Sequence, residues 1–364
     1  MEVKTISSEI TERIITEQQL LDIYNISSDE WEVEKKVINT WEVGTKGPDG
    51  NIATTPLFQV KVWLKSRKSV MDMEQIRQDF IDELKKISPK VEPKKYEPAI
   101  DKAPNMLQIN IFDLHFGKLA WDEESGENYD IKIAEKIFND AIDSFIRDVK
   151  GMNIEKILFP IGNDLMNSDY SHPFNRTTAG TPQDSDSRWS DMFRNCRKML
   201  VENINKLAEV SPVDIIMVGG NHDTERVYFM GDSLEGWFSN NPNVNINNSP
   251  AQRKYYKYHN TLIGFTHGNN EKISDLPLIL AQECPVDWGL TKYREFHLGH
   301  LHHVRSASYN PAFEQQGVMI RHMPSLSATD AWHSSRGYVA NKRSAEAYLW
   351  SQDKGLKSIL YYTL

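Results

Sequence analysis

The chain has 364 residues, 39% of them apolar, and a formal net charge of −9. That length accommodates about two domains and that composition a packed core, which excludes collagen-like and low-complexity classes. The acidic balance argues against a generic nucleic-acid coat or a polybasic membrane binder, and two cysteines, Cys196 and Cys284, are too few for a disulfide framework or a Cys-rich zinc site.

The first twelve residues carry no basic-then-apolar leader, and no apolar run approaches the ~20 residues of a membrane span. A soluble cytoplasmic protein without a membrane partner is therefore expected. Thr16 and Gln19 have the spacing of a capping box before Leu20, Leu21 and Ile23. Asn25 breaks that helix, and Ser27 or Ser28 caps a second short one through Trp31. Two β-rich runs follow, Val37–Val43 and Leu57–Leu64, around a turn-rich loop that begins at Lys46–Gly50. Val60, Val62 and Leu64 alternate with Lys61, Trp63 and Lys65, as in a half-buried strand. Val70, Met73, Ile76, Phe80, Leu84 and Ile87 have helical spacing. Residues 1–88 thus form a small α+β module. Helix–turn–helix plus hairpin is compatible with a winged-helix DNA-binding module, and equally with a docking domain. Its acidic residues outnumber its basic ones, and only Lys61, Lys65, Arg67 and Lys68 cluster, a weak footprint for nucleic acid.

Prolines 89, 93, 98 and 104 make residues 89–104 a linker, since prolines that dense forbid a helix or a central strand. From there strands and helices alternate, which gives an α/β (α+β) class for residues 105–364. Expected strands are Leu107–Ile111, Ile157–Ile161, Val213–Val218, Leu262–Phe265, Phe296–Leu298 and Val318–Ile320. Expected helices carry Ile133 to Val149 and Trp189 to Leu207, with Cys196 buried and inert on the second. Ala347–Trp350 and Ile359–Tyr362 form a closing hairpin around Asp353–Gly355.

Polar residues stand where five of these strands end: Asp113 and His115; Asp164; Asn221, His222 and Asp223; His267; His300 and His302. Strand ends are where α/β sheets place their sites. Carboxylates, an amide oxygen and imidazoles without thiolate favour Mn, Fe or Zn. The donors are too many for one tetrahedral ion and suit two ions about 3.5–4 Å apart. Two divalent cations outweigh Asp113, Asp164 and a bridging hydroxide, which leaves a positive centre that attracts phosphate. His259, His297, His303, His322 and His333 read as ordinary surface or core residues.

The set Asp113-Leu-His115, Gly162-Asn-Asp164, Gly220-Asn-His-Asp223, His267-Gly and Gly299-His-Leu-His302 resembles the calcineurin-like metallophosphoesterases, over about residues 105–330 and in the same order. The resemblance implies a β-sandwich flanked by helices, with two divalent ions, Mn²⁺ foremost and Fe or Zn as alternatives. It assigns Asp113, His115 and His302 to one ion, Asn221, His267 and His300 to the other, and Asp164 to both. His222 would protonate the leaving oxygen, oriented by Asp223. Asn163 separates Gly162 from Asp164, where the family has Gly-Asp, and Asn167 stands where the family has a second Asp. Asp169 is a distant alternative bridge.

Asp113-Leu-His-Phe-Gly117 resembles the start of the SbcD-type nuclease branch, while the overall layout is more similar to phage-encoded members. The expected activity is a metal-dependent phosphodiesterase acting on DNA by attack of the bridging hydroxide. A phosphomonoesterase or small-nucleotide phosphatase is the alternative, and a non-catalytic binding adaptor the third reading. Met166 to Ser190 is a long polar loop two residues past a ligand, expected as a substrate-selecting lid with His172 or Arg176 on the substrate. The segment His322 to Gly337 also follows a strand towards the same mouth, where His333 and Arg336 meet either a phosphate or acidic neighbours.

Overall fold

A computed structural model describes residues 3–11, 13–46, 52–66, 78, 79, 81–94, 96, 103–171, 174–301, 312–337 and 342–364. Contacts divide the chain into two units, Met1–Glu83 and Leu84–Leu364.

In the first unit, β1 (Val3–Ser7), β2 (Trp31–Lys46) and β3 (Ile52–Ser66) form a three-stranded antiparallel sheet, order β1-β3-β2, on which α1 (Glu17–Ile23) packs. The capping box is formed by Thr16 and Gln19. Val60, Val62 and Leu64 are buried with Ile6 and Leu20, as their alternation requires. The two β-rich runs are the middles of much longer strands. The second short helix is replaced by a turn. Both Glu30 N and Trp31 N donate to Ser27 O, and β2 starts at Trp31, which packs against the sheet core. Four residues are too few for a helix once Trp31 joins a strand. The helix–turn–helix pair is therefore not formed among the described residues. The loop at 47–51, Arg67 and Lys68 of the basic cluster, and residues 70–77 and Phe80 of the last expected helix lie outside the described residues; 81–87 are helical.

The second unit is mixed α+β, with two sheets among the described residues. One has order β14-β13-β4-β5-β6-β7: β4 (Asn105–Asn110), β5 (Ile154–Gly162), β6 (Val213–Val218), β7 (Val244–Asn247), β13 (Ser344–Ser351) and β14 (Gly355–Thr363). The other has order β11-β12-β10-β9-β8: β8 (Lys254–Tyr258), β9 (Thr261–Thr266), β10 (Tyr293–Leu298), β11 (Ala312–Gln315) and β12 (Val318–His322). Strands β4 to β7 run parallel, as do β9, β10 and β12, and the hairpin β13–β14 is antiparallel.

Period-two alternation decides which side chain meets which layer. In β4, Leu107 and Ile109 join a core with the helices α2 (Ile131–Asp148), α3 (Trp189–Val210) and α4 (Thr224–Phe238), while Met106 faces the opposite way. On that side Met106, Leu158, Ile216 and Trp350 of one sheet share a cluster with Ile263 and Phe265 of the other. Central strands buried on both faces read as continuous apolar runs. The far face of the second sheet is covered by α5 (Leu276–Glu283), with Leu276 and Leu280 against Leu262, Phe296 and Ile320. Each such side chain contributes about 1.5–3 kcal/mol by leaving water.

His297 is a core residue, 2.7 Å from Gln108 Nε2 and 3.1 Å from Glu295 Oε2, with its ring stacked on Trp350. Cys196 is fully buried on α3, and burial pushes its thiol well up. The expected linker is in part a strap within this unit. Val91 N donates to Asn240 O, and Lys94 N donates to Asn243 Oδ1 at 3.2 Å. No helix of the described residues is long and apolar enough to cross a membrane.

Candidate metal centre

The carboxyl ends of β4, β5, β6, β9 and β10 deliver the candidate ligands. Past the ends of β4 and β5 the backbones stay paired: Asp113 N donates to Asn163 O at 2.8 Å, His115 N to Asp164 O at 3.0 Å, and Phe116 N to Leu165 O at 2.7 Å. Asp113, His115, Asn163, Asp164 and His300 all have φ between 48° and 67°. Non-glycine residues rarely adopt that left-handed region, and such strain clusters at functional sites. Two glycines make the crossing possible. Gly162 has φ +121°, and a Cβ there would stand 1.8 Å from Val218 O on the paired strand. A Cβ on Gly220 would stand 2.0 Å from Asp164 Oδ1.

Asp164 is the hub. Its Oδ1 accepts from His222 N at 2.7 Å, and its Oδ2 lies 3.1 Å from His267 Nε2. Asn221 Oδ1 lies 2.8 Å from His267 Nε2 and 2.9 Å from His300 Nδ1. His300 N approaches both oxygens of Asp113 at 3.1 Å. The rings of His115 and His222 meet edge to face, centroids 4.6 Å apart. Two groups bring ligand atoms within 4.8 Å of one another: His115, Asp164 and His222, and Asp113, Asp164 and His267. Asp164 belongs to both.

The electrostatics favour a cation. Burial alone would raise the Asp164 carboxyl, but His267 and His222 hold it far below the usual carboxylate range. Burial alone would lower His267, yet Asp164, with Asp113 and Asp223 behind it, pushes it up to about 9. His267 Nδ1 is buried with no hydrogen-bond partner among the described residues. Two carboxylates, an amide oxygen and imidazole nitrogens therefore converge in a buried pocket whose negative charge draws a proton onto His267. These residues fit a metal ion with mixed oxygen and nitrogen ligands.

The structure brings together Asp113, His115, Asp164, Asn221, His222, His267 and His300. His302 and His172 lie outside the described residues. Three other expectations need correction. Asp223 does not orient His222. Its carboxylate accepts from Met166 N at 2.9 Å and Gly220 N at 3.2 Å, and so holds the β5 and β6 loops together. Burial, then the charge of Asp164, pushes this carboxyl well up. The ring is held instead by the Asn167 carbonyl, 3.1 Å from His222 Nδ1. Asp169 is no alternative bridge: its Oδ1 accepts from Glu225 N and Arg226 N, both at 3.0 Å, in the first turn of α4. Arg176 lies over the Tyr170 ring and lines a cavity with Trp189, Glu225, Arg226 and Phe229, rather than the cleft over the metal residues.

That cleft has a volume of about 460 Å³. Its floor includes Asp164, Asn221, His222 and His300. Its walls are Thr177 to Asp184 of the long polar loop and Asp330 to His333 of the second segment. Both segments reach the mouth, but through residues other than Arg176. The signal for Asn167 was its place three residues past Asp164; its contribution is a backbone carbonyl, which side-chain identity does not announce.

No protein-family model matches the chain, and no curated protein matches it.

Proposed function

We propose that this protein is a metallophosphoesterase of the calcineurin-like type, and that it is a dinuclear phosphodiesterase acting on nucleic acid. The observation that carries the reading is Asp164, shared by two ligand groups at the convergence of five strand ends. Asp113 and His115, with His302, would hold one ion. Asn221, His267 and His300 would hold the other, with Asp164 between them. Manganese is the ion proposed, since the donors mix oxygen and nitrogen without thiolate. Bound there, two divalent cations would neutralise phosphate charge and activate water towards phosphorus.

The remaining steps belong to the chain's own groups. His222 donates through Nδ1 to the Asn167 carbonyl, which turns Nε2 towards Asp164 and the cleft. From Nε2 it hands a proton to the leaving oxygen, the task of a positioned general acid. Asp223 and Asp169 fix the two loops that carry it. The cleft, about 460 Å³ and lined by two loop segments, is larger than a single phosphate needs, which favours a diester over a monoester.

The test is turnover with Mn²⁺ of bis-p-nitrophenyl phosphate, p-nitrophenyl phosphate and labelled single- and double-stranded DNA. Diester and DNA cleavage are expected. Monoester turnover with neither would overturn the nucleic-acid reading, and no turnover of any substrate would favour a binding adaptor.

A further inference from the structure

Besides the loop residues Thr177 to Asp184, the cleft is lined by α6 (Ala331–Ser335). Its Trp332 is 52% exposed and lines the same cleft as Asp164, Asn221, His222 and His300. The Arg336 guanidinium lies over the indole, 4.4 Å from its centroid, and the His333 ring meets it edge on at 4.9 Å.

The mounting is firm. Asp330 Oδ1 accepts from His333 N at 2.8 Å and lies 2.7 Å from His333 Nδ1. Asp330 Oδ2 lies 3.2 Å from Lys118 Nζ, whose side chain is only 4% exposed and also donates to Ala328 O at 3.1 Å. A buried ion pair is weak evidence for stability, and one well-attested use is to fix a geometry. A half-exposed tryptophan alone is ordinary. One backed by a cation, anchored through a buried ion pair and turned to a polar catalytic cleft is a built contact for a flat ligand.

We propose that Trp332 stacks a nucleobase of the substrate, and that the strand entering the cleft is therefore unpaired beside the scissile phosphate. The proposal rests on the phosphodiesterase reading. A base inside a duplex has both faces covered by its neighbours, so only an unpaired or terminal base can offer one to the indole. Every base has such a face, so the contact selects strand state rather than sequence.

The experiment measures binding of a fluorescein-labelled oligothymidylate with Mn²⁺, in a His222→Asn background so that the strand is not cut. Trp332→Ala is expected to weaken binding about ten-fold or more, and Trp332→Phe to retain most of it. An abasic oligomer of equal length is expected to bind both proteins alike. Turnover of methyl p-nitrophenyl phosphate by the wild type tests the phosphodiesterase reading separately. Equal oligothymidylate binding by wild type and Trp332→Ala overturns the proposal. So does equal loss of the abasic oligomer, or a preference for blunt duplex. If the wild type does not turn over methyl p-nitrophenyl phosphate, the phosphodiesterase reading itself fails. Turnover without a Trp332 effect on oligothymidylate binding leaves that reading intact and removes only the platform.

Discussion

The backbone N–H of His300 lies 3.1 Å from both carboxylate oxygens of Asp113, 187 positions earlier in the chain. Asp113 follows β4 of one sheet and His300 follows β10 of the other, so this contact joins the two sheets at the floor of the cleft. Hydrogen bonds to charged groups contribute about 1.5–3 kcal/mol. Asp113→Ala is therefore expected to destabilise the metal-free protein by about that amount and to weaken Mn²⁺ binding. Urea unfolding in EDTA checks the first, and calorimetric titration with Mn²⁺ the second. Unchanged stability in EDTA would mean that the contact does not couple the sheets.

His222 has two possible fates. Its ring meets His115, and its ligand atom belongs with His115 and Asp164, yet its Nδ1 is already engaged by the Asn167 carbonyl. As the proposed acid it would be dispensable for metal. His222→Asn is expected to keep its metal content while turnover falls about 10²–10⁴-fold. Metal analysis beside steady-state kinetics separates the roles; loss of one ion per chain would make His222 a ligand.

Two adjacent glycines give a matched pair. A Cβ on Gly219 meets nothing closer than 3.9 Å, whereas one on Gly220 collides with Asp164 Oδ1 and with Asp164 N at 2.4 Å. Gly220→Ala is expected to abolish Mn²⁺ binding and to cost about 1–3 kcal/mol of stability by overpacking. Gly219→Ala is expected to retain Mn²⁺ binding. Metal titration of the two variants side by side is the check, and equal behaviour would show that the loop is not tightly fitted around Asp164.

Lys118 and Asp330 set a pH-dependent prediction. Burial outweighs Asp330 and lowers the Lys118 ammonium. For Asp330, burial would raise the carboxyl, but the hydrogen bond from His333 and the charge of Lys118 hold it far below its ordinary value of 3.8. A carboxylate depressed on folding adds stability above its unfolded value and loses it as pH falls below that. Asp330→Asn also leaves Lys118 buried without its counter-charge, so a loss of about 3–5 kcal/mol is expected at neutral pH. The gap from wild type is expected to shrink below about pH 4. Urea unfolding across pH measures it; a constant gap would show that the carboxylate charge is not what holds the wall.

Much of this arrangement was legible in the residues themselves. Strands buried on both faces announce themselves as apolar runs, and ligand-type side chains at their ends marked Asp113, Asp164, Asn221, His267 and His300. Illegible were the bonds made by backbone groups, which carry no residue signature. Asp223 turned to Met166 N and Gly220 N, Asp169 to the first turn of α4, and His222 to the Asn167 carbonyl. The left-handed conformations at Asp113, His115 and Asp164 were equally silent, because tertiary contacts impose them against local preference. At Ser27 to Trp31, local capping signals lost to strand pairing of Trp31 with Ser66.

The proposed chemistry requires Asp164 to hold two cations at once. Anomalous diffraction from crystals soaked in Mn²⁺ measures this directly. Two peaks about 3.5–4 Å apart are predicted, flanking Asp164, with Asp113 and His115 on one side and Asn221, His267 and His300 on the other. Both are predicted to vanish in Asp164→Asn. A site free of manganese, or ions bound elsewhere with Asp164 untouched, would contradict it.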